Sequence, residues 1–303
     1  MVSANLPTKA VRILACPRCK KAAIVGDPGT WHCGSCGCEF GSLHDVPVLI
    51  PPESPVTTWF DVNEPRAMHG PRGLTRWMRS MQFADRVWTR RAQRALERAL
   101  RDATPDAPES VALLVGSGFE PVFRQICQKY KDILRVGLAD RGTNVVCDLC
   151  HLPALDQSVD LIFSSSVLEH VYDPEKAITE MHRVLKVGGQ VYAEIPFMRG
   201  YHMIPIDYQR YTIAGIEEVF ARNGFEMIEK GICSGPFTAA VLQLKDLASQ
   251  LLRFNRYARR FALLLLNLLH PVKYLDRLFE ESAWATVNAC NFYYLGRKGK
   301  NGK

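Results

Sequence analysis

Val111–Pro121, V-A-L-L-V-G-S-G-F-E-P, is the stretch on which the reading of the chain turns. A short apolar run stops at Gly116, and a second glycine follows at Gly118. Glycine has no Cβ, so it accepts positive φ and lets a ligand touch the backbone. A buried strand that ends in G-x-G and opens into a helix is the usual mouth of a nucleotide-type site in doubly wound α/β domains. Strands also end in glycine for geometric reasons alone, so the downstream spacing carries the decision.

Downstream, strands and helices alternate. Val122–Tyr130 reads as a helix with Phe123, Ile126 and Cys127 inward, and Ile133–Leu138 as a second strand ending at Ala139–Asp140. A carboxylate at that end is placed to accept both hydroxyls of a ribose; the plainer reading of Asp140 is a turn residue. Val145–Cys147 and Asp160–Phe163 are further strands, ending in Asp148 and Ser164–Ser166. Pro174–Leu185 is a helix capped by Asp173, stopped by Gly188–Gly189, and Gln190–Ile195 is the fifth strand. This order predicts a parallel α/β sheet covered on both faces, with ligands at the carboxyl ends of the strands.

At the N-terminus, C-P-R-C (Cys16–Cys19) and C-G-S-C (Cys33–Cys36) form two C-x-x-C knuckles a hairpin apart. Four thiolates so spaced suit one tetrahedral Zn²⁺, with Cys16, Cys19, Cys33 and Cys36 as ligands and Cys38 as a bystander or, alternatively, a replacement for Cys36. A segment this small needs the metal for stability. Pro51, Pro52 and Pro55 then mark a linker. Over Leu74–Leu100 the apolar stripe Trp77, Met81, Ala84, Trp88, Ala92, Ala95, Ala99 predicts one or two helices. Their other faces carry eight arginines between Arg76 and Arg101. Those fit a solvated helix face, or alternatively a nucleic-acid or phospholipid surface. The domains expected are a zinc ribbon over 1–52, a linker with basic helices over 53–108, and an α/β domain over 109–303.

The C-terminal part departs from sheet. Leu242–Leu252, Arg253–Leu269 and Tyr274–Phe279 read as helices, an insertion over about 242–285, and Asn288–Arg297 as the last strand. Arg253, Arg256, Arg259 and Arg260 precede F-A-L-L-L-L-N-L-L. A lid over the substrate pocket explains this pattern, and so does a helix in a membrane interface. The chain has 303 residues, 47% hydrophobic, with net charge +7 and ten cysteines. It shows no signal-peptide pattern and no apolar run long enough for a bilayer span, which suits a soluble cytoplasmic protein, with peripheral membrane contact as the second option.

Three segments carry a family resemblance. D-L-C-H-L-P (Asp148–Pro153), S-V-D-L-I-F-S-S-S-V-L-E-H-V (Ser158–Val171) and R-V-L-K-V-G-G (Arg183–Gly189) resemble class I S-adenosylmethionine (SAM) methyltransferases, in particular the type 11 branch. E-I-P-F-M-R-G-Y-H-M-I-P-I-D-Y-Q-R-Y-T (Glu194–Thr212) and the closing F-Y-Y-L-G-R-K (Phe292–Lys298) are similar to a bacterial subset of that branch. The resemblance implies a Rossmann-like methyltransferase sheet with SAM along the strand ends. Gly116 and Gly118, with Ser117 between them, would lie against the methionine part, Asp140 near the ribose, Asp148 and Leu149 near the adenine, and Ser164 and Ser165 along the floor. The cysteine-rich segment, ending D-V-P-V-L-I (Asp45–Ile50), resembles the zinc ribbon of the small activator subunit of tRNA and protein methyltransferases. That implies a surface contacting its own catalytic domain or a partner protein.

The chain also departs from the family. Leu114 stands where members carry an acid two positions before the first glycine, Glu120 replaces the third glycine of G-x-G-x-G, and the ribose carboxylate comes one residue late at Asp140. The missing acid helps hold the cofactor's amino acid end; losing one charge-assisted hydrogen bond costs ~1.5–3 kcal/mol. Methyl transfer from a sulfonium is an in-line displacement that needs alignment, dryness and, for a hydroxyl or amine, a proton acceptor. His202 and Asp207 are the catalytic candidates, with Tyr208, Tyr211 and His170 nearby. The function expected is methyl transfer to an O or N acceptor on a small molecule, saccharide or lipid-linked intermediate. The rivals are an RNA methyltransferase, which lacks any aromatic–basic stacking platform here, and a non-catalytic scaffold.

Overall fold

Apolar alternation at the N-terminus and continuous apolar runs in the middle of the chain build one mixed sheet. The computed structural model describes residues 10–22, 24–27, 29–58, 87–103, 110–116, 121–138, 143–201 and 206–299. The first strands are β1 (Ile24–Asp27), β2 (Thr30–Cys33), β3 (Glu39–Leu43) and β4 (Val46–Leu49), paired antiparallel in sequence order. β2 buries Trp31 and Cys33 and exposes Thr30 and His32, the period of two expected of a half-buried strand. Leu43 pairs with Val46, leaving His44 and Asp45 as a two-residue turn. Both have positive φ, 48° and 65°, which matches the right-handed twist of the strands they join.

Next come α1 (Arg90–Asp102), β5 (Val111–Val115), α2 (Pro121–Lys129), β6 (Asp132–Gly137), β7 (Val145–Cys147), β8 (Val159–Ser165), α3 (Pro174–Val184) and β9 (Leu185–Pro196). Then follow α4 (Ile213–Arg222), β10 (Phe225–Ser234), α5 (Pro236–Leu251), α6 (Arg256–Asn267), α7 (Ala283–Val287) and β11 (Asn291–Lys298). Among the described residues the sheet runs β1-β2-β3-β4-β7-β6-β5-β8-β9-β11-β10. From β4 to β9 the neighbours are parallel, and every residue of β5 is buried, as a strand covered on both faces requires. At the far edge β11 lies antiparallel between β9 and β10. The chain leaves β10 at the sheet's carboxyl side and forms its helices there, so it must re-enter in the opposite direction.

The cysteine-rich segment is not a detached module. β4 pairs parallel with β7, Val48 opposite Val146 and Leu49 opposite Cys147. Trp31, Phe40 and Leu49 share one apolar core with Val136, Cys147 and Leu152. The amide of Ala15 donates to the Pro153 carbonyl at 3.1 Å, that of Leu155 to Ile13 at 2.8 Å, and Lys20 Nζ reaches Glu180 at 2.7 Å.

α1 covers the other face of the sheet. Thr89 caps it by accepting from the Ala92 amide at 3.1 Å. Its buried stripe, Ala92, Ala95, Leu96, Ala99 and Leu100, is small enough for the helix to lie close, and Trp88 stacks on Tyr192 at 6.1 Å. Part of its arginine face is partnered: Arg91 with Glu229 at 2.9 Å, Arg94 with Glu280 at 3.8 Å, and Arg98 with Asp102 at 3.6 Å. The helical expectation over 74–86 lies outside the described residues.

Candidate cofactor and metal sites

The parallel strands bring two glycines together at their carboxyl ends. Gly116 ends β5 with φ +94°, and its amide donates to the Val136 carbonyl at 2.9 Å. A Cβ on Gly116 would sit 2.6 Å from Val167 Cγ2, and one on Gly137 would sit 3.5 Å from the Gly116 Cα. The result is a backbone-walled cradle between β5, β6 and the turn after β8. Gly137 is a part that sequence reading missed; its place at the end of the neighbouring strand was the available signal. Ser164 lies at the end of β8 with its hydroxyl buried and without a hydrogen-bond partner among the described residues. Ser165 donates to Glu194 Oε2 at 2.6 Å, and Glu194 Oε1 accepts from the Cys233 thiol at 2.7 Å. Ser117, Gly118, Glu120, Asp140 and His202 lie outside the described residues.

Asp148 follows β7 as expected, yet its carboxylate is engaged within the protein. Oδ2 accepts from Ser54 Oγ at 2.6 Å and Tyr172 OH at 3.1 Å and lies 3.1 Å from His151 Nδ1; Oδ1 accepts from the Cys150 amide at 2.9 Å. Burial raises its pKa, but the hydrogen bonds from His151, Ser54 and Cys150 outweigh that and hold it below the usual carboxylate value. Asp148 thus ties the segment after β4 to the strand end and to Tyr172. Leu149 is buried beside it in a short 3-10 turn, Leu149–His151.

Two loops are laced together beside this edge. The Tyr208 amide donates to the Glu169 carbonyl at 2.8 Å, Gln209 Nε2 donates to the carbonyls of Leu168 at 3.0 Å and Val171 at 3.1 Å, and His170 Nδ1 lies 2.7 Å from the Ile206 carbonyl oxygen. Burial lowers the His170 pKa despite that bond. Asp207 is buried and forms an ion pair with Arg210 through both carboxylate oxygens. Burial pushes the Tyr211 hydroxyl up to about 12. Past the end of β9, a hollow of about 370 Å³ opens between Met198, Phe237, Gln243 and Trp284.

The four predicted metal ligands converge. The sulfurs of Cys16, Cys19, Cys33 and Cys36 all lie within 4.8 Å of one another. Cys16 and Cys36 are 3.7 Å apart and Cys19 and Cys33 3.6 Å apart. The two knuckles repeat one geometry. In the first, the Lys20 amide donates to the Cys16 carbonyl at 2.8 Å and the Cys16 amide to Lys21 at 3.0 Å; in the second, Gly37 donates to Cys33 at 2.9 Å and Cys33 to Cys38 at 2.8 Å. Lys20 and Gly37 both take positive φ to make that turn. Cys38 is outside the cluster and accepts from Arg18 NH1 at 3.4 Å.

Residues 109–193, which run from before β5 into β9, match the family model described as a methyltransferase domain. A demethylmenaquinone methyltransferase of Thermobifida fusca is 41% identical over 66 residues, 20% of this chain and 28% of that protein. The ubiquinone/menaquinone biosynthesis C-methyltransferase UbiE of Xanthomonas campestris is 52% identical over 54 residues, 18% of this chain and 21% of that protein. The chain therefore matches less than a third of the length of these curated relatives. Among solved structures, phosphoethanolamine N-methyltransferase 2 of Haemonchus contortus with SAM is 18% identical, covering 67% of this chain and 53% of that one, TM-score 0.43. A chain of the complex between the Trm112 methyltransferase activator of Haloferax volcanii and a methyltransferase is 18% identical, covering 69% of this chain and 91% of that one, TM-score 0.42. The fold is the Rossmann-like methyltransferase α/β sheet, extended here at one edge by the cysteine-rich strands.

Proposed function

We propose that this chain is a SAM-dependent methyltransferase with a structural zinc ribbon built onto its sheet. The observation that carries this reading is the Cβ-free cradle of Gly116 and Gly137 at the carboxyl ends of parallel strands, within the segment that matches a methyltransferase domain. When bound, SAM supplies an electrophilic methyl group. The chain's part is to hold and align. At the strand ends Gly116 takes a left-handed backbone and packs against Val167, and the buried Ser164 hydroxyl at the same edge has no hydrogen-bond partner among the described residues. Asp140, Ser117 and Gly118 would complete the contacts. The acceptor we propose is an O or N atom of a small molecule, saccharide or lipid-linked intermediate, approaching from the Asp207 and His202 loop. The hollow beside Met198 is of a size suited to small ligands.

Zinc fits the four thiols. Tetrahedral Zn–S bonds of about 2.3 Å put sulfurs about 3.8 Å apart, and the Cys16–Cys36 and Cys19–Cys33 pairs here are 3.7 and 3.6 Å apart. A closed four-thiolate site leaves no open position, so the role is structural. The partnering of Arg91, Arg94 and Arg98 by acids argues against an RNA-binding face on α1. Calorimetric titration of the zinc-loaded protein with SAM and S-adenosylhomocysteine tests the proposal. Binding of both supports an enzyme; absence of binding in folded protein would leave the non-catalytic scaffold.

A further inference from the structure

The helical lobe presents an apolar face that the described residues leave open. No residue of α6 is buried. Tyr257, Phe261, Leu264, Leu265 and Leu268 recur at the spacing of one helix face, and each is between 49% and 75% exposed. Phe254, in the turn before α6, is 88% exposed, and Leu247 and Leu251 extend the surface along the end of α5. Scattered exposed apolar residues are ordinary, but a contiguous set of this size marks an interaction surface.

Charge identifies what the surface meets. From Leu247 to Leu275 the chain has no Asp or Glu, but it carries Arg253, Arg256, Arg259 and Arg260; its one lysine, Lys273, is buried and takes no part in the surface. The Arg253 guanidinium lies 4.5 Å from the centre of the Phe254 ring, and that of Arg256 lies 4.7 Å from the Tyr257 ring and donates to its hydroxyl at 2.7 Å. Guanidinium and phenol groups at the end of an aliphatic helix face match a headgroup layer above acyl chains. Among the described residues, no helix is long and apolar enough to cross a membrane. The lobe is thus built to lie on a bilayer. It also stands at a meaningful place: Pro196 and Ser234, the ends of β9 and β10, both pair with Asn291. α5 starts just beyond, and Gln243 Nε2 donates to the Met198 carbonyl at 3.2 Å. The lobe therefore rises from the carboxyl edge that also holds Gly116.

We propose that α5 and α6 dock this protein on an anionic lipid surface, with Phe254, Phe261, Leu264 and Leu268 in the acyl boundary and Arg253, Arg256 and Arg260 at phosphate depth. This stands on the lobe alone and does not depend on the methyltransferase reading. The test is co-sedimentation of the full chain with vesicles of phosphatidylcholine and phosphatidylglycerol, against pure phosphatidylcholine, at low and high salt. Each basic residue near an anionic surface is worth about 1 kcal/mol, or about fivefold in partitioning, so R256A/R260A is expected to bind anionic vesicles about 30-fold more weakly. F254S/F261S/L264S is expected to abolish binding while keeping the wild-type melting temperature, since these side chains are exposed. Failure of the wild type to sediment with anionic vesicles would overturn the proposal. So would equal binding by R256A/R260A, or a wild-type dimer that F254S/F261S/L264S splits, because a second copy would then cover the face.

Discussion

Replacing Gly116 by alanine separates two costs that the structure makes explicit. The first is conformational: φ of +94° is a region L-residues rarely adopt, costing about 1–3 kcal/mol. The second is steric. The new methyl would lie 2.6 Å from Val167 Cγ2, where carbon pairs prefer about 3.5–4.0 Å. Val167 is only half-buried and can give way, so the low end of overpacking, about 1 kcal/mol, applies. Together Gly116→Ala is expected to cost about 2–4 kcal/mol, a fall of roughly 3–6 °C in melting temperature for a chain of 303 residues. Val167→Ala removes only the steric share, so a double-mutant cycle should return a coupling of about 1 kcal/mol and leave the rest of the loss in place. Urea unfolding of the two single variants and the double variant reads these values, and SAM titration should show affinity falling with the displaced backbone. A Gly116→Ala protein as stable as the wild type would refute the strained cradle. Full rescue by Val167→Ala would refute the conformational share.

Three further outcomes follow from the same contacts. Ser54→Ala should cost about 1.5–3 kcal/mol in urea unfolding without loss of metal, because it removes a hydrogen bond to the buried Asp148 carboxylate. Asp148→Asn should expose the pH dependence. The folded pKa lies below the ordinary 3.8, so the carboxylate's contribution is complete above that value and is lost as the pH falls through the lower folded pKa. The stability gap between wild type and Asp148→Asn should therefore persist at neutral pH and narrow in acid; a gap that widens in acid would reverse the assignment. Cys33→Ser or chelation should release one zinc per chain by elemental analysis and lower the unfolding temperature of the whole protein, since Trp31 and Phe40 share a core with Cys147. An unchanged main transition would show that the ribbon folds apart from the sheet.

Much of this was legible because the relevant signals are local. β5, β7 and β8 are short apolar runs, and the parallel sheet they form buries both faces, so continuous hydrophobicity is itself the signature. The convergence of the four cysteines was legible because a C-x-x-C turn fixes two sulfurs by itself. What was missed is set by distant partners. β10 is an edge strand with Glu226, Met227, Ile228, Glu229 and Lys230 unburied and an irregular register near Met227, so no clean alternation survives. The antiparallel direction of β11 depends on where the helical lobe leaves the chain, which no window around Asn291–Lys298 contains. Ser54 and Tyr172, which hold the Asp148 carboxylate, lie 94 and 24 residues away from it in sequence, so no local window shows them. The continuity of β4 with β7 was hidden for the same reason: it is a pairing between segments separated by the linker and α1.

The central claim is a working SAM site despite Leu114 and Glu120, and calorimetric titration of folded, zinc-loaded protein with SAM measures it most directly. The account predicts saturable binding in the micromolar range, matched by S-adenosylhomocysteine and weakened in Gly116→Ala. No heat of binding for either ligand, in protein whose metal content and unfolding are intact, would contradict it and leave a methyltransferase fold retained as a scaffold.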